Sequence, residues 1–129
     1  MSIPQSGGGP IEHHDQLAEV LAKGCKPKED WRIGTEHEKF GYCADTLAPL
    51  PYEGARSIKA VLEGLEGRFG WTRVEEEGNI IGLTKDGANV SLEPGGALEL
   101  SGAPLETIHQ TCDEVYSHLA EVKSVSDEI

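Results

Sequence analysis

Between Trp71 and Ser101 short apolar runs alternate with turn dipeptides, and an antiparallel sheet is the arrangement that uses such a pattern best. Trp71 to Glu75, Ile80 to Lys85, Asn89 to Glu93 and Ala97 to Ser101 read as strands. Gly78-Asn79 and Asp86-Gly87 are dipeptides that supply positive φ in tight hairpins, so neighbouring runs should pair with their chain neighbours. Pro94, Gly95 and Gly96 force a kink or tight turn between the last two runs.

The flanks read as helices that cover this sheet. Leu17, Val20 and Leu21 recur at helical spacing before Gly24, placed for a left-handed cap. Ile58, Val61, Leu62 and Leu65 form an amphipathic helix that should end at Gly67. Pro104 suits a first helical turn, and Leu105, Ile108, Cys112, Val115, Leu119, Val122 and Ile129 trace an apolar stripe. That stripe runs to the last residue without a stop signal, so the fold reads as incomplete there. Trp31 to Tyr42 mixes β-formers with polar residues and contains no proline, which suits a strand with one face open. The fold class is therefore α+β: an antiparallel sheet with covering helices. Residues 1–10, with Gly7, Gly8 and Gly9 in a row, have nothing to bury and read as a flexible segment, leaving 11–129 as one folded unit.

Eleven basic against 23 acidic residues give a net charge of -12, which excludes nucleic acid and anionic membrane surfaces as partners. No run approaches the roughly 20 apolar residues of a membrane helix, nor does Met1 to Pro10 have the order of a secretory signal; a cytoplasmic location is the expectation. Cys25, Cys43 and Cys112 are odd in number and lack metal-type spacing, so they read as thiols.

Four glutamates are the candidates for chemistry. Side chains alternate along a strand with a rise of roughly 3.3 Å per residue, so Glu36 and Glu38 share a face with carboxylates ~7 Å apart. In the run from Ser91 to Gly102, Glu93 points away from Val90 and Leu92, and Glu99 away from Leu98 and Leu100. Carboxylate oxygens suit Mg²⁺ or Mn²⁺, which keep open positions for phosphate oxygens. Taken alone, Glu-x-Glu on a strand is more often a solvated face, and Pro-Gly-Gly an ordinary turn.

Two longer stretches give these residues a setting. GCKPKEDWRIGTEHEKFGY, Gly24 to Tyr42, and SLEPGGALELSGAPLETIHQTCDEVYSHLAEV, Ser91 to Val122, resemble glutamate-cysteine ligases of the plant and α-proteobacterial type, over a region from about Gln16 to Ile129. The resemblance implies the N-terminal part of a glutamine-synthetase-like catalytic domain, in which Glu36, Glu38, Glu93 and Glu99 hold Mg²⁺ against the phosphates of ATP. It implies glutamate, cysteine and ATP as substrates: the glutamate side-chain carboxylate is phosphorylated, and the cysteine amino group then attacks the acyl phosphate to give γ-glutamylcysteine. Neither GxxxxGK[ST] nor GxGxxG occurs, so the nucleotide has no cradle of its own here and the segment alone should be inactive.

Other residues read as structural. His37 falls on the strand face opposite the glutamates, His13 and His14 read as solvated, and Arg32 reads as one half of an ion pair. Arg56, Lys59 and Lys39 are phosphate binders only in principle. Plant relatives are redox-regulated through disulfides, yet the position of Cys112 on the apolar stripe makes it a core residue. No general base is identifiable. A different carboxylate-amine ligase, or an acidic module that holds Mg²⁺ or Ca²⁺ without chemistry, are the competing readings.

Overall fold

The computed structural model describes residues 8–129. Three helices and five strands follow in the order α1 (Asp15–Ala22), β1 (Glu36–Phe40), α2 (Ile58–Phe69), β2 (Thr72–Glu76), β3 (Asn79–Lys85), β4 (Ala88–Glu93), β5 (Ala97–Ser101) and α3 (Ile108–Ser126). The strands make one antiparallel sheet in the order β1-β5-β4-β3-β2. Strands β2 to β5 are thus a meander, and β1 is added to its far edge beside β5.

The hairpin turns carry the geometry their sequences demand, with one shift. Asp86 and Gly87 both have positive φ, as the Asp-Gly pair implies. At the β2–β3 turn the positive-φ residues are Glu77 and Gly78, so the turn sits one residue earlier than Gly78-Asn79, and Asn79 opens β3. Pro94–Gly96 form a short helical turn in which Gly95 and Gly96 have φ of 78° and 82°, a region open to glycine, which returns the chain from β4 into β5.

Helices α2 and α3 lie on one face of the sheet. Ile58, Val61, Leu62 and Leu65 of α2, Val125 of α3, and Ile80, Leu83, Ala88, Val90, Leu98 and Leu100 of the strands form the core, with Trp71 at one end. Burying one such side chain contributes about 1.5–3 kcal/mol, so this single layer of contacts holds the sheet's shape. Ser57 caps α2 by accepting from the Ala60 N–H at 3.1 Å. The helix passes through Gly67 and ends at Gly70, whose φ of 71° supplies the left-handed cap expected three residues earlier.

Helix α3 begins later than Pro104 suggests, because Thr107 and Gln110 form a capping box: the Thr107 hydroxyl accepts from the Gln110 N–H and the Gln110 side chain accepts from the Thr107 N–H. Its buried residues are Thr111, His118 and Val125, flanked by the half-buried Val115 and Val122. The apolar stripe is therefore rotated from the expected one. Ile108, Cys112 and Leu119 face outward, and Cys112 is exposed rather than a core residue. The helix also stops at Ser126, where the Asp127 N–H bonds to Lys123 O and the Glu128 N–H to Val125 O, instead of running to the end.

At the N-terminal side, α1 buries none of its residues, and Gly24 has no positive φ: the helix closes on Lys23 in a right-handed conformation. The strand expected over Trp31 to Tyr42 is regular only over Glu36–Phe40, with isolated bridges from Ile33 to Leu105 and from Tyr42 to Pro49 on either side. Of the segment 1–10 read as flexible, residues 1–7 lie outside the described residues. No helix among the described residues is long and apolar enough to cross a membrane.

Candidate functional site

Residues directly opposite each other in an antiparallel pair point to the same face, so the register alone fixes which side chains meet. Glu38 pairs with Glu99, Glu99 with Ser91, and Glu36 with Ser101, while Ser101 pairs with Asn89 and Glu93 with Ala97. Glu36, Glu38, Glu93 and Glu99 therefore all stand on the one face of β1, β5 and β4 that α2 and α3 leave uncovered. Residues from the two ends of the chain become neighbours there. Leu98, Leu100, Val90 and Leu92 occupy the alternate positions and point into the core or its margin.

The four carboxylates differ in setting. Glu36 and Glu38 sit on an edge strand and are exposed, Glu93 is half-buried, and Glu99 in the penultimate strand is only 6% exposed. The Ser101 hydroxyl donates to Glu99 Oε1 at 2.7 Å and the Ser91 hydroxyl to Glu93 Oε1 at 3.0 Å. Each central glutamate is thus oriented by a serine two residues away on its own strand. Asn89 adds a buried Oδ1 with no hydrogen-bond partner in the protein, on the same face beside Ser101. Carboxylate, hydroxyl and amide oxygens without nitrogen or sulfur are the donor set of a hard cation such as Mg²⁺, and the chemistry of this face fits that ion.

The acidic side chains are spread over the face rather than clenched. Among the described residues, the group of three possible ligands with atoms within 4.8 Å of one another is His13, His14 and Asp15, fully exposed at the start of α1. There His13 Nδ1 and His14 Nε2 lie 3.2 and 2.8 Å from the Asp15 carboxylate. They are exposed surface contacts, which contribute little.

Asn89, Ser91 and Ser101 went unnoticed in the sequence. The signal for them was present: Asn89, Ser91 and Glu93 fall at every second residue of β4, as do Glu99 and Ser101 of β5, so one polar face runs along both strands. Phe40 extends that face at 65% exposure. Beside it an open cavity of ≈ 370 Å³ is lined by Phe40, Tyr42, Leu47, Pro49 and the two turn glycines.

The remaining candidates lie elsewhere. His37 and Lys39 project to the helix-covered face, where Lys39 Nζ is 3.2 Å from His37 Nδ1 and donates to His37 O at 3.0 Å. Burial holds the Lys39 ammonium down to about 8, and the negative charge of Glu99 offsets part of that effect. Arg32 lies before β1 and pairs with Glu106 at 3.5 Å. Arg56 bonds to Asp45 at 3.1 Å and Lys59 lies 4.0 Å from Glu53, so neither faces the glutamates.

Comparison with known proteins decides the family. The sequence profile described as glutamate-cysteine ligase family 2 matches residues 32–129. The chain belongs to this family. It is 56% identical to the chloroplastic glutamate-cysteine ligases B and A of Oryza sativa subsp. japonica, over 93% and 100% of its length. It is equally 56% identical to the chloroplastic ligase of Nicotiana tabacum, over 93%. The alignments span only 23%, 29% and 22% of those proteins, so this chain corresponds to less than a third of each relative. All three relatives are named chloroplastic, a finding that overturns the cytoplasmic expectation. Plastid transit peptides are polar, Ser-rich and amphipathic, and a search for an apolar run is blind to them.

Proposed function

We propose that this chain supplies one wall of the active site of an ATP-dependent glutamate-cysteine ligase, within a glutamine-synthetase-like catalytic domain of which residues 11–129 form the N-terminal part. The observation that carries the reading is the register that gathers Glu36, Glu38, Glu93 and Glu99 on the uncovered face of three adjacent strands. The substrates are glutamate, cysteine and ATP, and the product is γ-glutamylcysteine, the first intermediate of glutathione synthesis.

Glu36, Glu38, Glu93 and Glu99 would hold Mg²⁺, which supplies charge neutralisation for the triphosphate and for the phosphoryl group in flight. A chain of net charge -12 needs that neutralisation more than most. The part played by the protein's own groups is positional. Ser101 and Ser91 fix the rotation of the Glu99 and Glu93 carboxylates, and the sheet's pairing fixes their spacing across the strands. A carboxylate held in place before the ion arrives loses less freedom on binding.

The test is made in the full-length ligase. Glu93→Gln and Glu99→Gln keep the side-chain volume and remove the charge. Each is expected to lower kcat by at least about 100-fold and to raise the Mg²⁺ concentration needed for half-maximal ADP release. Near-normal activity at ordinary Mg²⁺ in both variants would refute the assignment. The 129-residue chain alone is expected to release no ADP with glutamate, cysteine, ATP and Mg²⁺, and robust turnover would show that the rest of the domain is dispensable.

A further inference from the structure

At the start of α1, three side chains converge whose chemistry differs from that of the glutamate face. His13 Nδ1 lies 3.2 Å from Asp15 Oδ2 and His14 Nε2 lies 2.8 Å from Asp15 Oδ1, so the carboxylate offers one oxygen to each ring. The ligating atoms of all three residues fall within 4.8 Å of one another. The side chains are 63%, 83% and 66% exposed, which leaves the converging atoms open to solvent.

Packing does not impose this convergence, because α1 buries none of its residues. Hydrogen bonding does not explain it either. The Asp15 N–H donates to His13 Nδ1 at 3.3 Å, which uses the lone pair of that nitrogen and leaves it no proton to give Oδ2. Two acceptors, Nδ1 and Oδ2, therefore face each other, an arrangement that a cation between them relieves. The backbone beneath is held by Gln16, whose Oε1 accepts from the Glu12 N–H at 2.7 Å and the His13 N–H at 2.9 Å. Ligands mounted on a fixed turn lose less freedom on binding.

We propose that His13, His14 and Asp15 bind a divalent ion of the zinc class, at a site separate from the glutamate face. Two imidazole nitrogens and a carboxylate are donors that Zn²⁺ takes at about 2.0–2.1 Å, whereas Mg²⁺ and Ca²⁺ prefer oxygen alone. Ligand atoms around a tetrahedral ion at that bond length lie about 3.3 Å apart, close to the 3.2 and 2.8 Å between each ring nitrogen and its carboxylate oxygen. Three protein ligands leave the fourth position to water. Residues 8–22 carry Glu12, Asp15 and Glu19 and no lysine or arginine, which offsets the positive end of the helix dipole for an incoming cation. The consequence is local: an ion joining the first turn of α1 to the residues before it steadies a short helix that packing does not.

Zn²⁺ is the probe, added with excess Mg²⁺ present throughout, and the ring C–H signals of the five histidines of the 129-residue chain in a carbon–proton correlation spectrum are the readout. The His13 and His14 signals should shift saturably with a Kd of about 10 µM, while His37, His109 and His118 stay still. His14→Gln and Asp15→Asn each remove one ligand where nothing is buried, so the fold is not at stake, and each should weaken binding at least about tenfold. Cys25, Cys43 and Cys112 are free thiols that could also take Zn²⁺, and a chain with all three replaced by serine should titrate as the wild type does. No saturable shift of His13 and His14, the same shifts with Mg²⁺ alone, their loss in the thiol-free chain, or unchanged titration in both ligand variants would each overturn the proposal. None of these outcomes bears on ADP release, so this proposal and the ligase reading fail separately.

Discussion

Helices α2 and α3 cross where Gly64 meets Val125, and replacing Gly64 by alanine tests how tightly that crossing is set. A Cβ at position 64 would lie 2.5 Å from Val125 Cγ1 and 3.2 Å from Cγ2, closer than carbon atoms pack. Val125 is 1% exposed and β-branched in a helix, so it has one preferred rotamer and cannot swing both methyls aside. The substitution gains about 1 kcal/mol of helix propensity. Against that stands an overpacking cost of about 1–3 kcal/mol, so a net destabilisation of about 0–2 kcal/mol is expected. Urea denaturation followed by circular dichroism reads the difference. A cycle with Val125→Ala sharpens it, because truncating Val125 removes both clashing methyls. Glycine-to-alanine should then be neutral or stabilising in the Val125→Ala background, with a coupling of at least about 1 kcal/mol between the sites. If Gly64→Ala alone raises the urea midpoint, the close approach of the two helices does not limit packing and the reasoning fails.

Thr107→Ala removes the side chain that opens α3 and should cost about 1 kcal/mol in the same urea assay; no measurable loss would mean the capping box is idle. Burial, aided by the positive charges of Lys39 and His37, pushes His118 down to about 3 from its ordinary 6.5. Between pH 6.5 and 3 the unfolded chain therefore takes up a proton that the folded chain refuses, so this contribution to stability is complete above about pH 6.5 and lost as pH falls. His118→Phe should flatten the wild-type decline over that window, and parallel profiles would refute the assignment. Trp31, Phe40, Tyr116 and Leu119 leave apolar surface open on several sides, so the 129-residue chain should self-associate in sedimentation at high concentration; a clean monomer would contradict this.

The parts of the fold legible in the sequence were those governed by local rules. Period-two alternation between Trp71 and Ser101 placed four strands within a residue of their observed bounds, since a strand's inward residues must be apolar whatever packs on them. Helix ends were read less well. Gly67 offered a plausible stop, but Gly70 is where the φ is positive, and one helical turn of the same composition separates them. The stripe on α3 differs from the expected one because its buried positions include Thr111 and His118, which apolar counting passes over in favour of the outward Ile108 and Cys112. Glu93 and Glu99 could be oriented from their neighbours alone. That Glu36 and Glu38 join them depends on β1 pairing with β5, a long-range choice that no local pattern records. Asn89, Ser91 and Ser101 gain meaning only after that pairing places them beside the acids.

The order β1-β5-β4-β3-β2 also bears on how the chain acquires its structure in time. Strands β2 to β5 are joined by tight turns and can zip successively, each hairpin closing a short loop. β1 leaves the ribosome before all of them, yet among the described residues its partner in the sheet is β5, the last of these five strands to be made. The earliest strand must therefore wait unpaired and close the sheet at the end, at the entropic expense of a long loop. The face bearing the glutamates is complete only at that step, so a slow-folding or aggregating variant need not map to the core: weakening the β1–β5 seam is enough to leave a folded meander with half of its carboxylates adrift.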